Sequence, residues 1–311
     1  MRIAVASGKG GTGKTTIATS LALSIAGGDQ ADDSEVAGPI SRLLFLDCDV
    51  EAPNAHLFLN PHFRERVEVG LLVPEVDESL CTYCRRCAEV CEYNAIAVAE
   101  ECVLIFPELC HGCGSCTLNC PEGAISEVPR VMGVLEAGPT PHGFQFARGL
   151  MNVGEAMAVP IIRALKKWDM GLDGENTQVE EGSVFWETII VDVPPGTTCP
   201  VVEAVRGADF ALLVTEPTPF GLHDLRLMVE VVSELGIPAG VVINRDGTGY
   251  EEMERFCKEA DLPVMLRIPL EQRIAEGTAR RKPLIFICPE YEKYLREMYE
   301  RIIEIVKGAV R

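Results

Sequence analysis

Three things are missing from this 311-residue chain. It has no long apolar run: none reaches the ~18–20 unbroken apolar residues that a membrane span requires. It is short of positive charge, with 28 Lys and Arg against 47 Asp and Glu and a formal net charge of −19. A nucleic-acid binder needs a basic stripe to displace phosphate counterions, and an acidic surface repels anionic lipid in the same way. Neither nucleic acid nor membrane is therefore an expected partner, whereas a basic protein surface would suit. The plainer reading of the charge is a solvated, solubilising face. Third, the opening segment MRIAVASGKGG carries no signal-peptide pattern, so the expected compartment is cytoplasmic.

Cysteine, by contrast, is abundant, at thirteen residues. Cytosolic proteins rarely use so many for disulfides. Eight fall in two tight runs. Cys81, Cys84, Cys87 and Cys91 follow C-x₂-C-x₂-C-x₃-C, and Cys110, Cys113, Cys116 and Cys120 repeat that spacing, with Pro121 behind the last. The runs align at an offset of 29 residues, which also brings Ala95-Ile96 onto Ala124-Ile125. This is the spacing of bacterial two-cluster ferredoxins. Three closely spaced thiolates cap one face of a [4Fe–4S] cube, and the fourth of each run crosses to the other cluster. One set is then Cys81, Cys84, Cys87 and Cys120, and the other Cys110, Cys113, Cys116 and Cys91. Zinc also uses paired C-x₂-C, but eight thiolates in a duplicated run favour iron–sulfur. Glu92 stands where the first run would carry proline, a residue that shapes the turn and does not ligate. Cys48, Cys102, Cys257 and Cys288 are isolated and read as buried small apolar residues. His111 reads as incidental.

Hydrophobic residues make up 47% of the chain, enough for a sizeable core, and the length suits one large α/β domain plus a smaller one. Residues 2–6 (RIAVA) read as a strand, Thr15–Ile25 as a helix and Arg42–Asp47 (RLLFLD) as a buried strand. Residues 27–40 and 169–182 read as polar loops. After the cysteine-rich stretch the α/β pattern resumes. Strands are expected at Thr188–Asp192, Phe210–Thr215, Ala239–Asn244 and Val264–Pro269, with helices at Leu222–Leu235 and Glu251–Ala260. The expected fold class is α/β, a mainly parallel sheet flanked by helices, with a small α+β insert. The division is 1–75, first half of the large domain; 76–130, two-cluster insert; and 131–311, second half. Tyr291–Val306 is an amphipathic helix bearing Glu292, Glu297, Glu300 and Glu304, which reads as packed on the core rather than seeking a membrane.

Gly8-Lys9-Gly10-Gly11-Thr12-Gly13-Lys14-Thr15 matches G-x-x-x-x-G-K-[ST] between a strand and a helix, the context that motif requires. Glycines let the backbone wrap closely, so that successive N–H groups aim at phosphate oxygens. The helix N-terminus adds its positive dipole end. In such a loop Lys14 reaches the β- and γ-phosphates, the Thr15 hydroxyl holds Mg²⁺ and Thr16 contacts the α-phosphate. ATP or ADP with Mg²⁺ is the expected ligand. Ile190–Gly196 (IVDVPPG) reads as a Walker B strand running into switch II, with Asp192 near the Mg²⁺.

The loop KGGTGKTT resembles the deviant Walker A loop of the MinD/ParA family of P-loop ATPases, which includes the nitrogenase iron protein and the Mrp-type carriers. The likeness continues through DCDVEAPN, both cysteine runs, GLMNVGEAMAVPII (Gly149–Ile162), DVPPGTTCP and VTEPTPFGLHDL (Val214–Leu225). It thus spans both halves and the insert, and is to those members that carry a ferredoxin domain. The resemblance implies an ATP-sandwich homodimer in which Lys9 reaches the other subunit's nucleotide and stabilises transition-state charge. It implies that Asp49 positions the attacking water or acts as its base, with Asp47 an equal candidate for a group behind the Mg²⁺. It implies that Asn244, in VVINRDG, reads the base. The guanine pattern N-K-x-D wants an aspartate three residues on, whereas Asp246 is only two on, so adenine is expected. A plain strand cap stays open for Asn244. Cys199 lies seven residues after Asp192, the spacing of the dimer-bridging cluster cysteine of the nitrogenase iron protein. Two such thiols would be too few for a cluster, and no second ligand is evident.

The expected function is an ATP-hydrolysing iron–sulfur protein that couples nucleotide-driven dimer closure to electron transfer, working with an unidentified redox or metallocluster partner protein. The alternatives are a cluster assembly or carrier ATPase and a spatial organiser of the MinD/ParA kind. The carrier reading lacks the C-terminal C-x-x-C of Mrp-type proteins, and the organiser reading lacks a membrane helix or basic surface.

Overall fold

A computed structural model describes residues 1–27, 42–168, 186–247 and 249–309. Apart from Gly27, the loops read at 27–40 and 169–182 lie outside the described residues. The elements run β1 (Arg2–Ala6), α1 (Lys14–Ala26), β2 (Leu43–Asp47), α2 (His56–Leu59), β3 (Glu65–Val76), α3 (Arg86–Glu89), β4 (Ile96–Ala99), β5 (Cys102–Ile105) and α4 (Ser115–Leu118). They continue with β6 (Ile125–Pro139), β7 (Gln145–Met151), α5 (Val159–Lys167), β8 (Thr188–Asp192), α6 (Cys199–Val205), β9 (Phe210–Thr215) and α7 (Pro219–Glu234). The last are β10 (Ala239–Asp246), α8 (Glu251–Glu259), β11 (Val264–Pro269), α9 (Gln272–Ala279), α10 (Leu284–Ile287) and α11 (Glu290–Ala309).

One nine-stranded sheet, ordered β11-β10-β9-β1-β8-β2-β7-β6-β3, carries the molecule. From β11 to β7 all neighbours are parallel; β6 runs antiparallel to both β7 and β3. The central strands are buried on both faces, which is why they read as unbroken apolar runs. Successive side chains alternate between two cores. Ala4, Ala6, Leu44, Leu46 and Val191 pack with α5, α6, α7 and α8. Ile3, Val5, Leu43, Phe45 and Ile190 pack with α1, α10 and α11. The C-terminal helix α11 buries Tyr291, Leu295, Met298 and Ile302 in this second core and lies against α1, as its amphipathic pattern predicts. None of the described helices is long and apolar enough to cross a membrane.

The antiparallel edge was not read from the sequence, and it positions the insert. β7 pairs with β6 only from Gly133 to Pro139. Beyond the end of β7, Gly70–Val76 of β3 pairs with Ile125–Val131 of β6 alone. At ~3.3 Å per residue this two-stranded ribbon overhangs the sheet by roughly 20 Å. Because β7 runs parallel to β2, the overhang rises from the carboxyl edge of the parallel strands. Between the ribbon strands lie α3, α4, the small β4–β5 sheet and both cysteine runs. One expectation is overturned here: Cys102 is exposed, not buried. It opens β5 directly after the turn at Glu100, in a two-stranded sheet too small to cover it.

The ribbon pairing slips between Val69 and Gly70. Gly70 is pressed against the Arg130 carbonyl so closely that a Cβ would overlap it. Gly70→Ala must therefore part the two strands, and is expected to cost about 2–4 kcal/mol of stability. Chemical denaturation of the variant checks this; a loss within experimental error would contradict it.

Candidate nucleotide site and cysteine cavities

The phosphate loop connects β1 to α1 at the carboxyl edge. Gly11 and Gly13 take φ values of 80° and 90°, a left-handed backbone that side chains resist. Gly13 caps α1, and a Cβ there would collide with the Asn244 amide. Lys14 Nζ lies 2.6 Å from Asp192 Oδ1, and the Thr15 hydroxyl donates to Asp192 Oδ2 at 2.7 Å. Lys14 is buried and Asp192 is wholly so. Thr16 is buried on the first turn of α1. Strand register sets Asp47 beside Asp192. Asp47 accepts hydrogen bonds from the backbone N–H groups of Asp49, Asn54 and Ala55, at 3.2, 3.1 and 3.0 Å. Burial first, then the nearby Asp192 charge, pushes the Asp47 carboxyl up to about 7, against the opposing hydrogen bond from Ala55. Burial also raises Asp49, which is only partly covered.

The loop's chemistry suits a polyphosphate with Mg²⁺. The Thr12 hydroxyl is buried without a hydrogen-bond partner among the described residues, a cost normally met by a ligand or water. The Lys14 ammonium and the Asp192 carboxylate now satisfy each other, and phosphate and Mg²⁺ would satisfy each separately. Asn244 reaches back to the phosphate loop. Its amide N–H₂ donates to the Thr12 carbonyl at 2.7 Å and its Oδ1 accepts from Arg245 N at 2.9 Å, so it braces the phosphate loop. It lies within β10, not at its end. Lys9 reaches Glu216 at 3.4 Å, and Arg245 pairs with the same carboxylate. Glu216 escaped the sequence reading, since its two partners come from segments far from it in the chain.

The cysteines group by pairs of halves. One cavity is lined by Cys81, Cys84, Cys87 and Cys120. Another is lined by Cys91, Cys110, Cys113 and Cys116. The two halves share their backbone. Tyr83 N–H donates to Cys81 Sγ and Gly112 N–H to Cys110 Sγ, both at 3.4 Å. Ala95 N–H donates to Cys91 Sγ at 3.2 Å and Ala124 N–H to Cys120 Sγ at 3.3 Å. Positive φ recurs at the 29-residue offset: Tyr83, Arg85 and Asn94 in the first half, and Gly112, Gly114 and Gly123 in the second. N–H groups aimed at sulfur stabilise thiolates, so the donor set fits two [4Fe–4S] clusters. His111 stacks on Tyr93 at 3.7 Å between ring centroids, beside the second cavity. Cys48, Cys257 and Cys288 are buried as expected. Cys199 is exposed at the start of α6.

Comparison with known proteins agrees with this geometry. The 4Fe-4S binding domain family matches twice, over residues 74–97 and 103–126. The MinD protein of Pyrococcus horikoshii, solved with Mg-ADP, superposes with a TM-score of 0.54 at 18% identity, covering 99% of this chain and 98% of that one. The iron–sulfur cluster carrier protein of Methanocaldococcus jannaschii is 24% identical over 144 residues, 40% of this chain and 50% of that one. The molecule thus has the MinD/ParA-type P-loop ATPase fold with a double 4Fe-4S ferredoxin unit built into it. Protein MJ0579 of M. jannaschii is 30% identical over 278 residues, 89% of this chain and 88% of that one, and the chain belongs to its family.

The raised Asp47 carboxyl makes a pH prediction. A folded state that holds the proton up to about pH 7 loses that contribution as pH rises from about 4 through 7. The Tm of nucleotide-free protein is expected to fall over this window more steeply than that of Asp47→Asn. The variant should itself be less stable by about 1–3 kcal/mol, since an amide cannot accept all three N–H groups. Parallel Tm-against-pH curves would contradict the assignment.

Proposed function

We propose that the chain is a Mg²⁺-dependent ATPase in which nucleotide-driven closure of a homodimer governs electron transfer through two [4Fe–4S] clusters. The observation that carries this reading is positional. The cysteine cavities stand at the tip of a ribbon that rises from the same sheet edge at which Lys14, Thr15, Asp47 and Asp192 meet. In this reading residues 1–75 and 131–311 form the ATPase and residues 76–130 hold the clusters.

The roles follow from the groups present. Backbone N–H groups of Gly8–Thr15 hold the phosphates, with the Thr12 and Thr16 hydroxyls adding donors. Lys14 exchanges the Asp192 carboxylate for phosphate oxygens. Thr15 and Asp192 hold the Mg²⁺. Asp49, on the loop tied down by Asp47, orients the attacking water. Lys9 leaves Glu216 and reaches the nucleotide of a second copy. Asn244 keeps the loop in shape beside an adenine nucleotide. The clusters, when bound, supply one-electron redox chemistry. The chain's part is to ligate them through the two sets of four cysteines and to direct N–H groups at the sulfurs. The acceptor is a partner protein, for which the chain's negative charge favours a basic surface.

A second reading, cluster delivery to an apo-protein, is favoured by the partial likeness to an iron–sulfur cluster carrier. Against it, Cys257 and Cys288 are both buried and lie far apart in sequence.

Lys14→Ala tests the proposal in anaerobically purified protein with both clusters loaded. In the wild type MgATP is expected to shift the electron paramagnetic resonance spectrum or the midpoint potential of the reduced clusters. In Lys14→Ala the cluster content and visible absorption should stay, and the shift should vanish. A wild type indifferent to MgATP would contradict the proposal.

A further inference from the structure

One short segment, Met151–Glu155, is bonded on one side to the loop behind Asp49 and on the other to the ribbon. Met151 N–H donates to the Val50 carbonyl at 2.9 Å. The Val50 side chain nests on Gly149, where a Cβ would stand 2.6 Å from Val50 Cγ1. On the far side, Asn152 N–H donates to the Met132 carbonyl at 2.8 Å, and Asn152 Nδ2 to the Val131 carbonyl at 3.3 Å. Glu155 accepts two hydrogen bonds from Arg130 Nη2, both at 2.9 Å, in a partly buried pair. Met132 and Val131 mark the level at which β6 leaves β7 and continues as the free ribbon.

These contacts have a mechanical consequence. Above Gly133 the strand ladder is β3–β6 alone, so the angle of the overhang to the sheet is set by the contacts at its base. Gly133 fixes part of that base, since a Cβ there would meet Ile161 of α5 at 2.9 Å. The rest is fixed by Asn152 and Glu155. Val50 follows Asp49 directly, so a nucleotide-dependent shift of Asp49 pulls on Met151. The segment Asn152–Glu155 has Gly154 at φ 89°, which lets it turn sharply back onto Arg130.

The geometry points to Met151–Glu155 as the joint that relays the state of the nucleotide site to the ribbon carrying the cysteines, with Asn152 and Glu155 as its positioning residues. This rests on the ATPase reading above and adds the route by which the two sites communicate. None of Asn152, Glu155 or Arg130 touches the phosphate loop, so nucleotide binding should survive their replacement.

Amide hydrogen exchange on full-length, cluster-loaded protein tests it, with and without MgATP, in the wild type, Glu155→Gln and Asn152→Ala. Arg130→Lys serves as the conservative variant that keeps one ion pair. In the wild type, nucleotide is expected to change protection in peptides covering residues 47–56 and also those covering 125–132. In Glu155→Gln and Asn152→Ala the first change should remain and the second be lost, while Arg130→Lys keeps part of it. Visible absorption confirms that each variant still holds its clusters, and loss of clusters in one leaves the other to decide. A ribbon response that persists in both variants, or is absent in a wild type whose residues 47–56 do respond, overturns the joint alone. No response at residues 47–56 in the wild type overturns the ATPase reading and the joint with it.

Discussion

The buried ion pair between Lys14 and Asp192 is the interaction on which the carboxyl edge depends. Each charge alone would be very costly in that place, and the 2.6 Å contact, with the Thr15 hydroxyl on the second oxygen, satisfies both. The pair ties the phosphate loop after β1 to the end of β8. It also sets the field in which Asp47 sits, one strand away, as a second buried carboxyl. Asp47 is tolerated because three backbone N–H groups point at it and because it can hold a proton. A nucleotide with Mg²⁺ would bring a partner for each member, negative for Lys14 and positive for Asp192. The same cation would draw the proton from Asp47. Charge balance at this edge would thus be met in two arrangements, which is what a switch requires.

The second constraint is topological. Parallel strands need crossover helices, and those helices cover both faces of the sheet. The edge β7–β6–β3 escapes that rule by turning antiparallel. It can therefore extend past its neighbours as a ribbon and lift a small module clear of the helices. The cysteine loops need little from the core beneath them, since the small apolar clusters around Val73, Ala95, Ile96 and Ile125 are local. The eight cysteines, with the clusters they would hold, would take the place of a hydrophobic interior.

Much of this was legible in the sequence, for physical reasons. The parallel strands are buried on both faces and so appear as apolar runs, and the phosphate loop and cysteine spacings follow the geometry of the ligands they suit. The ferredoxin spacing, in which the fourth cysteine of each run crosses over, grouped the cysteines as the two cavities do. What escaped was less periodic or less local. The ribbon strand β3, ERVEVGLLVPEV, is solvated over much of its length, so its alternation is masked by charge. The backbone of the first cysteine loop looks ordinary in sequence, yet Tyr83, Arg85 and Asn94 adopt the left-handed values that glycine supplies in the second. Asn244 as a brace, Glu216 as a shared anion and the Val50–Met151 contact join segments far apart in the chain, and only the fold brings them together.

The central claim is that the nucleotide edge and the cysteine module communicate. Its most direct measurement is the ATP hydrolysis rate of anaerobic, cluster-loaded protein, first oxidised and then reduced with dithionite, with Lys14→Ala as the blank. Communication predicts rates that differ severalfold between the two redox states. Equal rates, in protein whose hydrolysis vanishes in Lys14→Ala, would contradict it.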